Sequence, residues 1–497
     1  MQKVVTTILL LLLFPLATMA QGKRFSHYNC MAPADSPALR AATPRRLPAL
    51  KTEWDSTRTY PVAVVLMQFA DRAFSMADPK DFYQRVFNEE GYNEGAGPGC
   101  VADYFRQQSC GWFHPRFDIL GPVTVKGSYN KGNSTYGSDT FGKAVSQLAD
   151  SLAIDFSPYD WDGDQWAESI IIVYAGYGGN ETSELSEGCI WPNTSSFSTL
   201  TVGEMHLSNY SASAELFTEG KSCGIGTICH EYSHTLGLPD LYPTQGDEYS
   251  VCDEWDLMDG GNYADNGWCP PCYSTHAKML LGWQQPQVLS QPATITDMRP
   301  ISEGGQAYLV ATENPDEFYL LENRQWSGWD QRTPGHGLLV THVEYSFISW
   351  RNNIVNARPN HHRYEYIHAD NMDYNQWDDS LQRKNQYMGG HSLYLSTTPY
   401  PFVNDTIENR QLTDTSLPAA TTYSGTGLLS QPITNITEGA DGTISFLFMG
   451  GSVDGVSAVI NNNEKIINNQ FYDLTGRPVG PGYRGLAIKN GKKYLFL

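Results

Sequence analysis

Residues 230–240 read His230-Glu231-Tyr232-Ser233-His234-Thr235-Leu236-Gly237-Leu238-Pro239-Asp240, the pattern H-E-x-x-H-x-x-G-x-x-D. On a helix, positions four apart share a face, so His230 and His234 offer two imidazoles to one ion. Neutral imidazole is a good zinc ligand, at about 2.0–2.1 Å. Glu231 projects beside the ion. There it can take a proton from a coordinated water, whose pKa zinc lowers to about 7. Gly237 tolerates the left-handed conformation that ends many helices, and Pro239 keeps the helix from resuming. Asp240 then arrives as the candidate third ligand. A carboxylate behind the ligands, or a helix-end cap, would read the same way. Three protein ligands with an open fourth position is the catalytic zinc pattern, not the closed structural one. A bare H-E-x-x-H is a weak signal, and the G-x-x-D extension strengthens it.

Downstream stands Trp255-Asp256-Leu257-Met258-Asp259-Gly260-Gly261. The two motifs together resemble the metzincin peptidases, where the helix motif is followed by a tight turn whose Met packs under the metal. Met258 takes that place by resemblance, although ordinary core packing would also suit it. A thioether is apolar, soft and adaptable. More specifically, the chain is similar to the immune inhibitor A-like family of secreted bacterial zinc metallopeptidases across residues 60–450. The resemblance is carried by the zinc segment and by residues 62–69 (VAVVLMQF), 101–115 (VADYFRQQSCGWFHP) and 159–176 (YDWDGDQWAESIIIVYAG). It continues in 274–283 (STHAKMLLGW), 319–330 (YLLENRQWSGWD) and 335–343 (GHGLLVTHV). One departure bears on the third ligand. The stretch 242–250 is shorter than the acidic run that usually follows Leu-Pro-Asp in this family.

Asp160, Asp162 and Asp164 alternate ahead of Glu168. Clustered carboxylate oxygens suit calcium, although Gln165 stands where an EF-hand loop needs Gly. The resemblance implies a structural Ca2+ here; a solvated acidic turn before a strand fits the same residues. The continuous apolar run at 170–174 reads as a buried strand, and the resemblance places a strand of this region beside the cleft. Tyr263 and Tyr273 are phenols after the Met turn, too weakly marked to assign to catalysis. His361, His362 and His368, with His336 and His342 near them, match no ligand spacing and read as surface histidines on a loop.

Lys3, the apolar run 4–14 and the small residues up to Ala20 have the form of a secretory signal. That run is too short to span a bilayer, which takes about twenty residues, and no transmembrane segment follows. The net charge of −21 excludes nucleic acid and anionic lipid as natural partners. Nine cysteines, an odd number, leave at least one unpaired. Cys30 stands apart in a Pro-, Ala- and Arg-rich segment. It is either a latency ligand, filling the open zinc position until removed, or a stray thiol. Cys269-Pro270-Pro271-Cys272 has redox spacing without a thioredoxin-like context.

The expected organisation is a signal peptide (1–20), a pro-segment (21–50), an α/β (α+β) metzincin-like catalytic domain (51–290) and a β-sandwich-like accessory domain (291–450). A small C-terminal β module (451–497) has the composition of a sorting tail, which leaves surface attachment open. The function expected is a secreted zinc-dependent endopeptidase cleaving extracellular proteins or peptides. The alternative is a surface adhesin or binding protein that keeps a peptidase fold without turnover. The presence of Glu231 speaks against that alternative.

Overall fold

The computed structural model describes residues 47–496 apart from 130–137, 181–188, 218–219, 246–250, 359, 372–394, 406, 452–455, 461–470, 474–477, 480–484 and 490–491. The expected signal segment and Cys30 therefore lie outside the described residues.

The first half is built on a mixed sheet of β1 (Thr59–Phe69), β2 (His114–Val125), β3 (Trp166–Ala167), β4 (Ile170–Tyr177), β5 (Asn193–Val202) and β6 (Met205–Leu216). Its order is β2-β1-β4-β6, all parallel, with β3 also on β6 and β5 antiparallel along β6. β1 and β4 are apolar without alternation because both faces are covered, as parallel strands require. Val62, Val64, Leu66, Ile171 and Val173 face one core, which they share with the metal-motif helix. Ala63, Val65, Met67, Ile170, Ile172 and Tyr174 face a second core with α3 (Ser138–Leu152).

This topology corrects one expectation. β4 lies in the sheet interior, paired by β1 and β6, and does not border a cleft. The strands with an open side include β2, which pairs only β1, and β5, which pairs only β6 among the described residues; of these two, β5 is the one bonded to Glu231. The Ser/Thr-rich sequence of β5, NTSSFSTLTV, suits an exposed edge better than the β-branched run of β4 does.

α1 (Pro79–Asn88) begins at an Asp78 cap whose carboxylate accepts from the Asp81 amide at 3.0 Å. α2 (Val101–Gln108) starts with a reciprocal box between Cys100 and Asp103. α4 (Gly226–Thr235) carries the metal motif, and α5 (Thr275–Leu280) and α6 (Phe347–Arg351) follow. At the end of α4, Gly237 has φ +101°, and a Cβ there would come within 2.8 Å of Leu50 Cα. Glycine is required on both counts. It lets residues 47–51 cross the helix end, where the Lys51 amide donates to the Leu236 carbonyl at 3.1 Å.

The downstream strands are β7 (Gln287–Leu289), β8 (Ala293–Met298), β9 (Tyr308–Ala311), β10 (Glu317–Arg324), β11 (Gly337–Glu344) and β12 (Tyr364–Tyr366). A short pair follows, β13 (Phe402–Val403) and β14 (Glu408–Asn409), then β15 (Ile433–Glu438) and β16 (Ile444–Phe448). One sheet runs β12-β11-β10-β9-β7 and another β15-β16-β8. Alternation on β10 and β11 points Tyr319, Leu321, Leu338 and Val340 into a core shared with β8, β15 and β16. Phe318, Leu320, Leu339 and Val343 point the other way, into the core that contains α4. The five-stranded sheet is thus a shared wall between the two halves. The tail forms its own five-stranded sheet from β17 (Val456–Ile460), β18 (Phe471–Asp473), β19 (Pro478–Val479), β20 (Gly485–Lys489) and β21 (Lys492–Phe496). No helix among the described residues is long and apolar enough to cross a membrane.

Candidate metal centre

Every residue of α4 is buried, although half of its motif is polar. Buried polar groups need partners, and most of those here have one, although the Tyr232 hydroxyl is buried without a hydrogen-bond partner. Ser233 Oγ donates to the Cys229 carbonyl at 2.5 Å, and Thr235 Oγ1 donates to the Tyr232 carbonyl at 2.6 Å. The imidazoles donate through Nδ1, His230 to the Leu257 carbonyl and His234 to the Leu238 carbonyl, both at 2.7 Å. A carbonyl only accepts, so each Nδ1 carries the proton. Each Nε2 is then the atom that faces the site, the orientation that metal-ligating histidines show.

His230 Nε2 and His234 Nε2 lie 3.2 and 3.1 Å from Asp240 Oδ1. Ligands at about 2.0–2.1 Å on a tetrahedral ion stand about 3.3 Å apart, close to these values. Asp240 Oδ1 is buried without a conventional hydrogen-bond donor. Three lone-pair atoms converging in a buried space demand a positive charge among them, either a proton or a cation. Burial alone opposes charge on His230, yet the Asp240 carboxylate beside it outweighs that and raises its pKa to about 9. Asp240 is held well below the usual carboxylate range: burial works against its charge, and the two histidines prevail. His230, His234 and Asp240 thus form a group able to hold a metal ion, and its donor set, two imidazoles and one carboxylate, suits zinc.

Glu231 is 1% exposed. Its Oε2 lies 2.8 Å from Thr194 Oγ1, whose hydroxyl is also 2.5 Å from the Glu231 carbonyl. Thr194 stands on β5, so the edge strand and the carboxylate are joined directly.

The 255–259 turn sits against the ligands. Leu257 provides the carbonyl for His230, Met258 N donates to Asp256 Oδ1 at 2.9 Å, and the Met258 carbonyl accepts from Leu241 N at 2.9 Å. Met258 is 2% exposed, within the core around α4. Burial raises the Asp256 carboxyl to about 7. Behind the turn, fully buried Arg324 on β10 forks onto Asp330 at 2.6 and 2.9 Å, reaches Glu322 at 3.3 Å and touches the Trp255 carbonyl at 3.4 Å. The shared sheet therefore braces the turn.

Asp240 is gripped from further downstream. Its amide donates to Asn353 Oδ1 at 2.7 Å, and its Oδ2 accepts from Asn353 Nδ2 at 2.6 Å. Neither Thr194 nor Asn353 stands out in the sequence. An isolated Thr and an isolated Asn carry no spacing signal.

The other expected residues fall elsewhere. Asp160, Asp162 and Asp164 form a separate acidic group. Asp160 accepts from the amides of Gly163, Asp164 and Gln165 at 2.7–3.2 Å, and Asp164 accepts from Trp166 N at 2.8 Å. Tyr273 is buried and its hydroxyl bonds Ser233; the Tyr263 hydroxyl accepts from Asn180 at 3.0 Å. The loop histidines are not all at the surface as expected: His342, His362 and His368 are buried. Each has a polar partner in the fold: His342 meets Glu317 at 2.9 Å, His362 meets Glu365 at 3.2 Å and His368 Nδ1 lies 3.0 Å from Thr398 Oγ1. Cys100, Cys110, Cys229, Cys252, Cys269 and Cys272 are thiols, so the 269–272 pair forms no disulfide. A hollow of about 390 Å³ lies on the side of α4 turned from the ligands, lined by Tyr232, Thr235, Trp161 and Glu168 among others.

Residues 158–284 match the family model described as "Immune inhibitor A peptidase M6, catalytic domain". The chain is 25% identical over 268 residues to Immune inhibitor A of Bacillus thuringiensis subsp. alesti, covering 44% of this chain and 39% of that protein. It is 23% identical over 265 residues to the pre-pro-metalloprotease PrtV of Vibrio cholerae serotype O1 (strain M66-2), covering 46% of this chain and 28% of that protein. The chain thus spans well under half the length of these relatives. Among solved structures it is similar to metalloproteinase-II from Bacteroides fragilis, at 12% identity over 49% of this chain and 58% of that one. The TM-score is 0.24. The matched segment contains both histidines, Glu231 and Asp240, so the part of the chain that carries the metal group is similar to the catalytic domain of the immune inhibitor A peptidases.

Proposed function

We propose that the chain is a secreted zinc-dependent endopeptidase that cleaves extended segments of extracellular proteins. The observation that carries this is the convergence of His230 Nε2, His234 Nε2 and Asp240 Oδ1, with both Nδ1 protons already committed to carbonyls. Zinc bound by these three residues would lower the pKa of a coordinated water to about 7 and polarise the scissile carbonyl. Glu231 is the proton carrier. Its carboxylate takes the proton of the attacking water and returns it to the leaving amine nitrogen. Thr194 keeps one carboxylate oxygen oriented for that exchange. Substrate in extended form would add to the open side of β5 through backbone hydrogen bonds, a mode that needs few specific side chains.

The proposed organisation keeps the catalytic domain at 51–290, the accessory region at 291–450 and the tail at 451–497, with export directed by residues 1–20. The metal group and Glu231 are at most 1% exposed, which accords with a precursor that must open before a polypeptide reaches them. Calcium at Asp160, Asp162 and Asp164 is supported by the resemblance and by one oxygen from each lying within 4.8 Å of the others, although amides of the turn also bond these carboxylates.

The test is casein or gelatin cleavage by the processed protein, with and without a chelator, and by Glu231→Gln. Chelation is expected to abolish cleavage and re-added zinc to restore it. Glu231→Gln is expected to lower kcat about 100- to 10,000-fold with zinc content unchanged. Wild-type rates in that variant would overturn the mechanism, and zinc-loaded protein without any cleavage would favour the non-catalytic binding protein.

A further inference from the structure

Asp240 has two oxygens, and they have different neighbours. Oδ1 faces both histidines, and Oδ2 accepts from Asn353 Nδ2 at 2.6 Å. The other end of the same amide accepts the Asp240 N–H at 2.7 Å. Two bonds from one planar group fix both the backbone and the carboxylate plane of Asp240, so only one oxygen is left to bind an ion. Asn353 is itself held on both sides. Its amide donates to the Trp350 carbonyl at 3.1 Å and its carbonyl accepts from Thr244 Oγ1 at 2.5 Å. It has φ +55°, a left-handed conformation that Asn tolerates better than most residues. Asn356 Nδ2 adds a bond to the Leu241 carbonyl at 2.7 Å. The turn after α6 thus clasps residues 240–244.

We propose that Asn353 is a positioning residue for the metal site, holding Asp240 so that its Oδ1 alone points between His230 and His234. This rests on the metal-site reading above and extends it. The residue lies beyond the 158–284 segment that matches the family model, so the matched segment does not contain its complete metal site. Asparagine is the required type. Aspartate would keep an acceptor for the Asp240 amide but would lose the donor to Oδ2 and set a second negative charge beside it. Partners that orient a metal ligand are typically worth 10- to 100-fold in affinity.

The experiment uses the full chain and measures zinc affinity by competition with a chromogenic chelator. It also records the absorption spectrum of the cobalt-loaded protein and the thermal midpoint of the metal-free protein. Asn353→Ala and the isosteric Asn353→Asp are expected to weaken zinc binding about 10- to 100-fold and to alter the cobalt bands. In an Asp240→Ala background, either change is expected to add nothing further. Should Asn353→Ala fail to fold, Asn353→Asp carries the test. Wild-type affinity in the variants, with a lowered midpoint, would overturn the proposal by reducing Asn353 to a structural role. Equal weakening with and without Asp240 would also overturn it. A wild-type chain that binds no zinc would instead overturn the metal-site reading, and this inference with it.

Discussion

His230 and His276 are both buried imidazoles, 0% and 3% exposed, and they sit at opposite ends of the titration scale. His230 faces a carboxylate, and its pKa is raised to about 9. His276, on α5, lies among the rings of Phe318, Tyr345, Trp350 and Tyr364 at centroid distances of 5.4–6.2 Å. Burial alone drives its pKa down to about 3. His368 in the downstream region behaves like His276: burial outweighs the attraction of Glu365 and lowers it to about 4. The same side chain, equally removed from water, is prepared for a positive neighbour in one region and kept neutral in the other. What surrounds a histidine decides this, and being buried does not.

The largest expected effect removes the first environment. His234→Ala should reduce the zinc content of dialysed protein from about one ion per chain to near zero, measured by elemental analysis. Full retention would mean that the ion is held elsewhere and would dissolve the contrast.

The second prediction concerns the other region. The folded pKa of His276, about 3, lies below the unfolded value of about 6.5. Below pH 6.5 the unfolded chain takes a proton that the folded chain refuses. Stability is therefore lost as pH falls from 6.5 toward 3, by about 1.4 kcal/mol for each pH unit. His276→Leu should flatten the urea midpoint between pH 6.5 and 4 while leaving zinc affinity alone. An unchanged acid slope in that variant would show that the aromatic cage does not keep the ring neutral.

The smallest effect sharpens the first region. Thr194→Val keeps the shape but removes the hydroxyl beside Glu231, a loss of roughly 1 kcal/mol. That corresponds to about five-fold in kcat with zinc content intact. A change in zinc content instead would place Thr194 on the ligand side of the site.

These regions were unequally legible in the sequence. The spacing of His230, Glu231 and His234 predicts a shared helix face because helical geometry is local, and α4 forms there. The apolar runs at 62–69 and 170–174 predict strands for the same reason. β5 gave no such signal, since a polar Ser/Thr-rich edge has neither alternation nor a continuous apolar run. The partners of the buried His342 and His368, Glu317 and Thr398, are brought near only by the folded chain. Asn353 was invisible because its meaning lies in a partner far away along the chain.

That distance has a consequence. Asn353 follows Asp240 by 113 positions, so a polypeptide still being made carries its histidines and its glutamate well before the amide that steadies the third ligand. Translation proceeds from the first residue onward. On the reading proposed above, the third metal ligand gains its support only after residue 353 has been made, a delay written into where one asparagine was placed.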